Sequence, residues 1–338
     1  MQVEIKNLPG SEIELSGEID AETFERFWAN AVKELGEKAE IPGFRPGKIP
    51  EKILVEKIGE GAVLEEAASH ALEDAYPQIL KEHNIDAIGR PNILITKLAR
   101  KNPLGFKIKT FVLPDIALPD YKAIAKTIFS RPAESADVED KEVNDALEHL
   151  QKARAANDAL PELTDEFAKS LGNFESLDAL KANVKDSLAL EKQMRAKEKQ
   201  RNEALDAIAR ETKADIPSVL IDAEREKMTQ ELKGNLAAAG LEWAHYLDHI
   251  KKTEEDLRGE WKDEAKKRVR YGLVLRAIGA KEQITVKKPE LEQEIAYLAS
   301  RIPERERANL DPAKLQEYAY GILRNEKIFQ TLQNQKEE

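Results

Sequence analysis

The chain has 338 residues, of which 35% are charged and 6% aromatic, and its formal net charge at neutral pH is −11. This length is too great for one typical hydrophobic core and favours two or three domains. Residues 1–112 and the remainder are each net acidic. The charge excludes a basic nucleic-acid-binding domain, so any contact with RNA must be local.

The protein has no cysteine, which fits a reducing compartment and excludes a disulfide scaffold. The N-terminus lacks the apolar segment of a signal peptide, and no apolar run approaches the length of a membrane span. We therefore expect a cytoplasmic protein that does not interact with membranes.

Residues 1–112 have the pattern of a small α+β domain. Alternating apolar residues on either side of the turn at 8–11 predict a first hairpin, and a second is predicted around residues 102–105. Between the hairpins, Asp20 is a candidate N-cap for a helix whose apolar residues share one face, with Gly36 as a candidate end. A second helical stretch follows Pro50, and Pro77 is expected to kink or end it.

The stretch from Gly43 to Pro50 combines an aromatic residue, two cations and two glycines within one short loop. Prolines at 42, 46 and 50 fix φ and remove backbone donors, so the segment cannot be helical. Gly43 and Gly47 permit the positive φ that would direct Phe44 and Arg45 outward. A stiff loop of this kind is suited to recognition, although a proline-rich connector with an incidental aromatic is the alternative. The spacing and Ile49 exclude a phosphate-binding Walker A loop.

From about Asp137 onward the sequence is almost entirely helical in pattern. Apolar residues recur at three- and four-residue spacing at 177, 180, 184 and 188, and at sevens at 315, 322 and 329. Asp215 to Ser218 should break one helix and start another, and Gly240 and Gly279 should interrupt later ones. We expect long, separate amphipathic helices rather than a tight bundle.

Two motifs resemble those of one family. The loop motif Gly-Phe-Arg-x-Gly-Lys-x-Pro at 43–50 resembles the ribosome-docking signature of bacterial trigger factor, a chaperone at the nascent-chain exit. Independently, Leu-Pro-Glu-Leu-Thr-Asp-Glu-Phe-Ala-Lys-Ser-Leu-Gly at 160–172 resembles the segment that opens that family's C-terminal domain. One departure is Pro46, where the family usually has Lys, which leaves Arg45 and Lys48 as the cations of the loop.

The resemblance implies a multidomain α+β fold: an α+β ribosome-binding domain at 1–112, a proline-stiffened linker at 113–136, and an extended helical chaperone domain with long arms at 137–338. It implies docking on exit-tunnel protein and rRNA of the large ribosomal subunit. The implied ribosome-binding residues are Gly43, Phe44, Arg45, Gly47 and Lys48. Other implied partners are unfolded or nascent polypeptides and, off the ribosome, a second copy of the chain. No cofactor and no ATP is expected.

A second departure from the family is a deletion. Most trigger factors carry a prolyl-isomerase domain just before the segment matched at 160–172, whereas here a helical stretch from Glu142 to Asn157 runs directly into it. An additional domain needs on the order of 50 residues or more, and 113–160 is already occupied by linker and helix. We therefore expect no enzyme and no catalytic residues, and a chaperone that assists folding and transport. Alternatives are a residual prolyl isomerase, a helical adaptor for one folded partner and, disfavoured by the missing signal peptide, a periplasmic chaperone.

Two further groups are weaker candidates. His245 and His249 have the i, i+4 spacing of a two-histidine metal pair, but no third ligand is evident, and a solvated helix face is the stronger interpretation. The run from Lys266 to Arg270 is the densest basic patch. Flanking carboxylates favour an ion-paired helix surface over an RNA contact there.

Overall fold

The computed structural model describes residues 2–132, 134–155, 160–302, 307 and 310–334. By contacts the chain forms two compact units, each made of two segments. Unit 1 comprises Met1–Ala117 with Lys213–Arg270, and unit 2 comprises Leu118–Thr212 with Tyr271–Glu338. The predicted domains at 1–112 and 137–338 are continuous in sequence, whereas each of these units combines two separate segments. The predicted domain boundaries therefore stay a prediction.

The N-terminal part of unit 1 is built on a four-stranded antiparallel sheet in the order β1-β2-β4-β3. The strands are β1 (Val3–Leu8), β2 (Glu12–Ile19), β3 (Ala87–Lys97) and β4 (Leu104–Val112). The register places Ile5 opposite Leu15 and Leu15 opposite Ile108. Both predicted hairpins are confirmed.

Three helices pack on one face of this sheet: α1 (Ala21–Lys38), α2 (Glu51–Ile58) and α3 (Glu60–Glu82). Asp20 caps α1 as predicted, since its carboxylate accepts the backbone N–H of Thr23 at 2.8 Å. The core lies between the sheet and the helices, and both layers contribute fully buried side chains, among them Leu15, Phe24, Trp28, Phe106 and Ile108.

Pro77 does not end its helix, which corrects one part of the sequence prediction. Helix α3 continues through Pro77 to Glu82. Proline removes only one backbone donor, and Ala75 and Ile79 on either side of it are buried in the core. The packing of this helix face therefore outweighs the lost hydrogen bond. Gly36 likewise lies inside α1, which ends two residues later at Lys38.

The second segment of unit 1 contains α8 (Ser218–Ala238), α9 (Trp243–Ile250), α10 (Glu254–Glu260) and the first part of α11 (Lys262–Lys281). The predicted break before Ser218 is confirmed. Asp215 joins this segment to the first hairpin: its Oδ2 accepts the N–H groups of Gly10 at 2.5 Å and Ser11 at 3.2 Å, and its carbonyl accepts the Ser11 hydroxyl at 2.7 Å.

In the described residues of unit 2, the regular secondary structure consists of helices. Its elements are α4 (Tyr121–Phe129), α5 (Asp140–Arg154), α6 (Asp165–Leu171), α7 (Leu177–Glu211), the end of α11, α12 (Lys288–Ser300) and α13 (Pro312–Gln333). Together with the sheet domain of unit 1, this confirms the predicted fold class of a small α+β region followed by a mostly helical one. Gly279 lies inside α11 and does not interrupt it.

Helix α4 lies within the stretch 113–136, which was predicted to be a linker. Asp120 caps it by accepting the N–H of Ala123 at 3.1 Å, and Tyr121, Ala125 and Phe129 are buried against α7, α11 and α13. Residues 121–129 are therefore part of a core rather than a connector. The reason is their apolar spacing at three and four residues, which needs a partner surface.

The apolar stripe predicted at 177–188 is confirmed as packing surface. Leu180 is buried, and Leu177, Val184 and Leu188 pack beside it against α5 and α6. Helix α5 ends at Arg154, and Ala155 is already extended, so the helix stops short of the predicted end at Asn157, which lies outside the described residues. In the described ranges, none of the helices combines the length and the apolar character that crossing a bilayer would require.

Candidate functional site

The loop between α1 and α2 consists of two consecutive Pro-Gly turns. In the first, the N–H of Phe44 donates to the carbonyl of Ile41 at 3.1 Å, and Gly43 has φ +88°. In the second, the N–H of Lys48 donates to the carbonyl of Arg45 at 3.0 Å, and Gly47 has φ +76°. Proline in the second position and a positive-φ glycine in the third are the features of type II turns.

Pro46 has a structural role in this arrangement. It occupies the second position of the second turn, so Ile-Pro-Gly-Phe at 41–44 is followed directly by Arg-Pro-Gly-Lys at 45–48. Its ring fixes φ at about −65° and so stiffens the backbone that carries Arg45.

The loop exposes the side chains predicted to bind the ribosome. Phe44 is 37% exposed although it is a large aromatic, and Gly43, Arg45, Gly47 and Lys48 are also exposed. Within the described part of the chain, neither Arg45 nor Lys48 forms an ion pair. An aromatic ring and two cations therefore face solvent from one short, hydrogen-bonded loop.

Two anchors fix the ends of the loop to the helical layer. On one side, the N–H of Gly47 donates to the carbonyl of Gly36 in the last turn of α1 at 2.8 Å. On the other, Glu51 at the start of α2 accepts the indole N–H of Trp28 at 3.0 Å and pairs with Arg100 at 2.8 Å. The Arg100 guanidinium also lies over the Trp28 ring, 4.6 Å from its centroid.

The anchoring residues Trp28, Glu51 and Arg100 were not predicted. Trp28 could be assigned to the apolar face of α1, and Glu51 to a favourable first helical turn, but nothing local couples them. Arg100 lies between β3 and β4, far along the chain from Glu51. Only the closed fold brings the three together.

The histidine pair and the basic run, the two weaker candidates from the sequence, both lie on helices outside the loop. His245 is 80% exposed and lies 3.8 Å from Glu242. Among the described residues, no third ligand joins the pair His245 and His249.

In the basic run, Arg268 pairs with Glu231 at 3.1 Å and with Glu224 and Glu264 at 3.6 Å each. The interpretation of that run as an ion-paired helix surface is confirmed for Arg268.

Large apolar side chains are exposed on the helices of unit 2 and, in unit 1, at Leu241 after α8. On α7, Leu190 and Met194 are 53% and 61% exposed and lie one helical turn apart. Tyr297 on α12 and Tyr318 on α13 are similarly exposed, as is Leu241 after α8. The sequence pattern could not distinguish these positions from core positions, because it specifies which residues share a face and not whether that face is covered.

Comparisons with known proteins agree with these features. The N-terminal model of bacterial trigger factor protein matches residues 1–150, and the C-terminal model of the same family matches residues 176–334. Trigger factor of Caldicellulosiruptor bescii is 25% identical, with 89% of this chain and 87% of the relative covered. Trigger factor of Thermoanaerobacter sp. strain X514 is 27% identical, with 89% and 90% covered.

A solved structure shares the fold. It comes from a study of promiscuous substrate recognition in the folding and assembly activities of the trigger factor chaperone, and it superposes with a TM-score of 0.62 at 20% identity over 99% of both chains. The loop motif at 43–50 lies inside the first matched region, and the motif at 160–172 lies between the two. Because these regions together span most of the sequence in the family's order, the chain belongs to the bacterial trigger factor family.

Proposed function

We propose that this protein is an ATP-independent chaperone that docks at the ribosomal exit tunnel through the loop at 41–50 and holds nascent polypeptides. The observation that carries the proposal is the double Pro-Gly turn, anchored at both ends, that exposes Phe44, Arg45 and Lys48. A preformed loop loses little entropy on docking. Aromatic and arginine side chains are the commonest anchors of interfaces, and the cations can pair with acidic side chains or rRNA phosphates.

Client holding is supported by the apolar side chains exposed on separate helices, among them Leu190, Met194, Tyr297 and Tyr318. Each apolar patch binds a client weakly, but several patches that bind one client together give a higher overall affinity. Such binding suits unfolded polypeptides of many different sequences. Promiscuous substrate recognition is described for the trigger factor whose solved structure shares this fold, and we extend that property to this chain.

We propose further that the chain has no prolyl-isomerase activity and acts in the cytoplasm without a cofactor. Between the matched family regions lie only residues 151–175, fewer than an additional domain needs. The alignment to the C. bescii protein spans 391 positions, more than the 338 residues of this chain, so part of the relative has no counterpart here.

Co-sedimentation with ribosomes tests the docking part of the proposal. The double variant Phe44→Ala/Arg45→Ala should lose most of its binding, by roughly 2–4 kcal/mol, the scale of interface hot spots. A matched control is Arg90→Ala/Leu94→Ala, which removes one exposed cation and one exposed apolar side chain from β3 in the same unit. Equal binding by the wild type and the Phe44/Arg45 variant would contradict the proposal.

Aggregation and refolding assays separate the holding function from the alternatives. We expect suppressed aggregation of several unrelated unfolded clients at stoichiometric concentrations, and no acceleration of a proline-limited refolding phase. Scattered patches bind many conformers about equally, and uniform binding does not lower the barrier to X–Pro rotation. Catalysis at substoichiometric protein would support the isomerase, and activity toward one folded partner alone would support an adaptor.

A further inference from the structure

The facing sides of α1 and α3 carry a three-residue cluster that the docking function does not use. Glu66 and His70 lie one turn apart on α3, and Glu34 on α1 faces them. One ligand atom of each, a carboxylate oxygen or an imidazole nitrogen, lies within 4.8 Å of the other two. We propose that Glu34, Glu66 and His70 form a binding site for a divalent transition-metal ion, with zinc as the best fit.

Of the two distances from His70, the one to Glu34 is that expected between two ligands of one metal ion, and the one to Glu66 is slightly longer. His70 Nε2 lies 3.5 Å from Glu34 Oε2 and 3.8 Å from Glu66 Oε1. Both separations exceed the normal length of a hydrogen bond, about 2.7–3.2 Å. Ligand atoms bound tetrahedrally to zinc at about 2.0–2.1 Å lie about 3.3–3.5 Å apart. Small side-chain rotations would therefore complete the first shell without moving the helices.

The Glu34 carboxylate has one oxygen that faces the cluster and one that is bound elsewhere. Lys38 donates to Glu34 Oε1 at 2.8 Å, while Oε2 of the same carboxylate faces His70. The three ligand side chains are 30–41% exposed, so an ion can enter from solvent and keep a water in its fourth position.

The ligand set selects the class of ion. One imidazole with two carboxylates suits zinc and its neighbours in the first transition row, whereas magnesium and calcium prefer oxygen ligands alone. Because Glu34 lies on α1 and the other two ligands lie on α3, a bound ion would cross-link these helices. Glu34 is two residues before Gly36, whose carbonyl anchors Gly47, so the cross-link would stiffen the end of α1 that supports the loop.

Metal titration of the tag-free 338-residue chain tests this proposal. Equilibrium dialysis with Zn²⁺ should give one bound equivalent, and Co²⁺ should give the visible absorption of a tetrahedral site. Glu66→Gln, a near-isosteric change at a partly exposed position, and His70→Ala should each lower Zn²⁺ affinity about tenfold or more. Lys38→Met should raise Zn²⁺ affinity, because it removes an ammonium group that repels the cation.

The matched control is His245→Ala/His249→Ala, which removes the exposed histidine pair of α9 and should leave Zn²⁺ binding unchanged. Hydrogen exchange should slow in α1 and α3 on addition of Zn²⁺, and not in α9. The proposal is overturned if the wild type binds no Zn²⁺ at micromolar concentrations. Binding that survives both His70→Ala and Glu66→Gln, or that is lost in the control variant, would overturn it equally.

Discussion

The backbone N–H of Gly47 donates to the carbonyl oxygen of Gly36 at 2.8 Å, which ties the second turn of the loop to the last turn of α1. The contact satisfies a carbonyl near the end of a helix, where intrahelical donors run out. It also sets the direction in which Arg45 and Lys48 leave the helical layer. The loop is thus oriented by backbone hydrogen bonding and not only by its prolines.

Replacing Gly47 by alanine should weaken ribosome binding with little effect on global stability. A Cβ at this position would meet only Glu37 Cγ at 3.5 Å, an ordinary contact, so the cost comes from φ +76°. A non-glycine residue in this region costs about 1–2 kcal/mol, and relief of the strain would distort the turn. We expect about tenfold weaker co-sedimentation. Gly61→Ala, at an open position in the first turn of α3, is the control and should bind as the wild type does.

The salt dependence of ribosome binding should be shallow. The loop offers two cations, Arg45 and Lys48, and residues 1–112 are net acidic. The slope of log affinity against log salt concentration should therefore correspond to about one to three phosphate contacts. Binding measured between low and physiological salt checks this value. A steep slope would indicate that a second basic surface, such as residues 266–270, also touches RNA.

Loss of the Asp215 carboxylate should loosen the first hairpin from the segment that leads into α8. Asp215→Ala removes the acceptor for Gly10 and Ser11, and we expect a loss of about 1 kcal/mol because the site is exposed. Faster hydrogen exchange at the amides of Gly10 and Ser11 would show it directly. Asp215→Asn keeps one acceptor oxygen and should fall between the alanine variant and the wild type. Unchanged exchange in Asp215→Ala would contradict the role assigned to this carboxylate.

The ion pair between Arg201 and Glu326 should make unit 2 sensitive to acid. Arg201 donates two hydrogen bonds of 2.7 Å to the carboxylate, and its side chain is only 11% exposed. Hydrogen bonding to Arg201 holds the pKa of Glu326 below its usual range. The folded value is below the unfolded one, so the pair stabilises the fold above the unfolded pKa and loses this effect as pH falls through the folded pKa.

Glu326→Gln should accordingly lower the free energy of unfolding at pH 7 by about 2 kcal/mol. This figure lies between the typical costs of removing one partner of an exposed ion pair and of a fully buried one. The difference from the wild type should shrink below about pH 4.5, where the unfolded carboxyl becomes protonated. Denaturant unfolding at about pH 7 and pH 3 measures both. Glu317→Gln, on an exposed face of α13, is the control and should change neither value. A constant difference at the two pH values would argue against the ion pair.

Features set by neighbouring residues could be predicted from the sequence alone. Alternation around the turns determined the two hairpins, Asp20 determined the start of α1, and Pro-Gly pairs determined that residues 41–48 form an exposed turn region. These follow from φ restrictions, capping and periodicity, all of which act within a few residues. The same local chemistry in α4 could have been recognised, since Asp120 precedes an apolar pattern at three- and four-residue spacing.

Tertiary structure alone decided which distant groups meet. Helix α3 continues through Pro77 because its apolar face is buried against the sheet and α1. Arg100 reaches Trp28 and Glu51 only when the second hairpin closes beside α1. The contact of Asp215 with the first hairpin joins residues that are 205 positions apart. No local pattern encodes such pairings, because the free energy that selects them comes from burial and hydrogen bonding between segments, whereas periodicity specifies only the surface each segment offers.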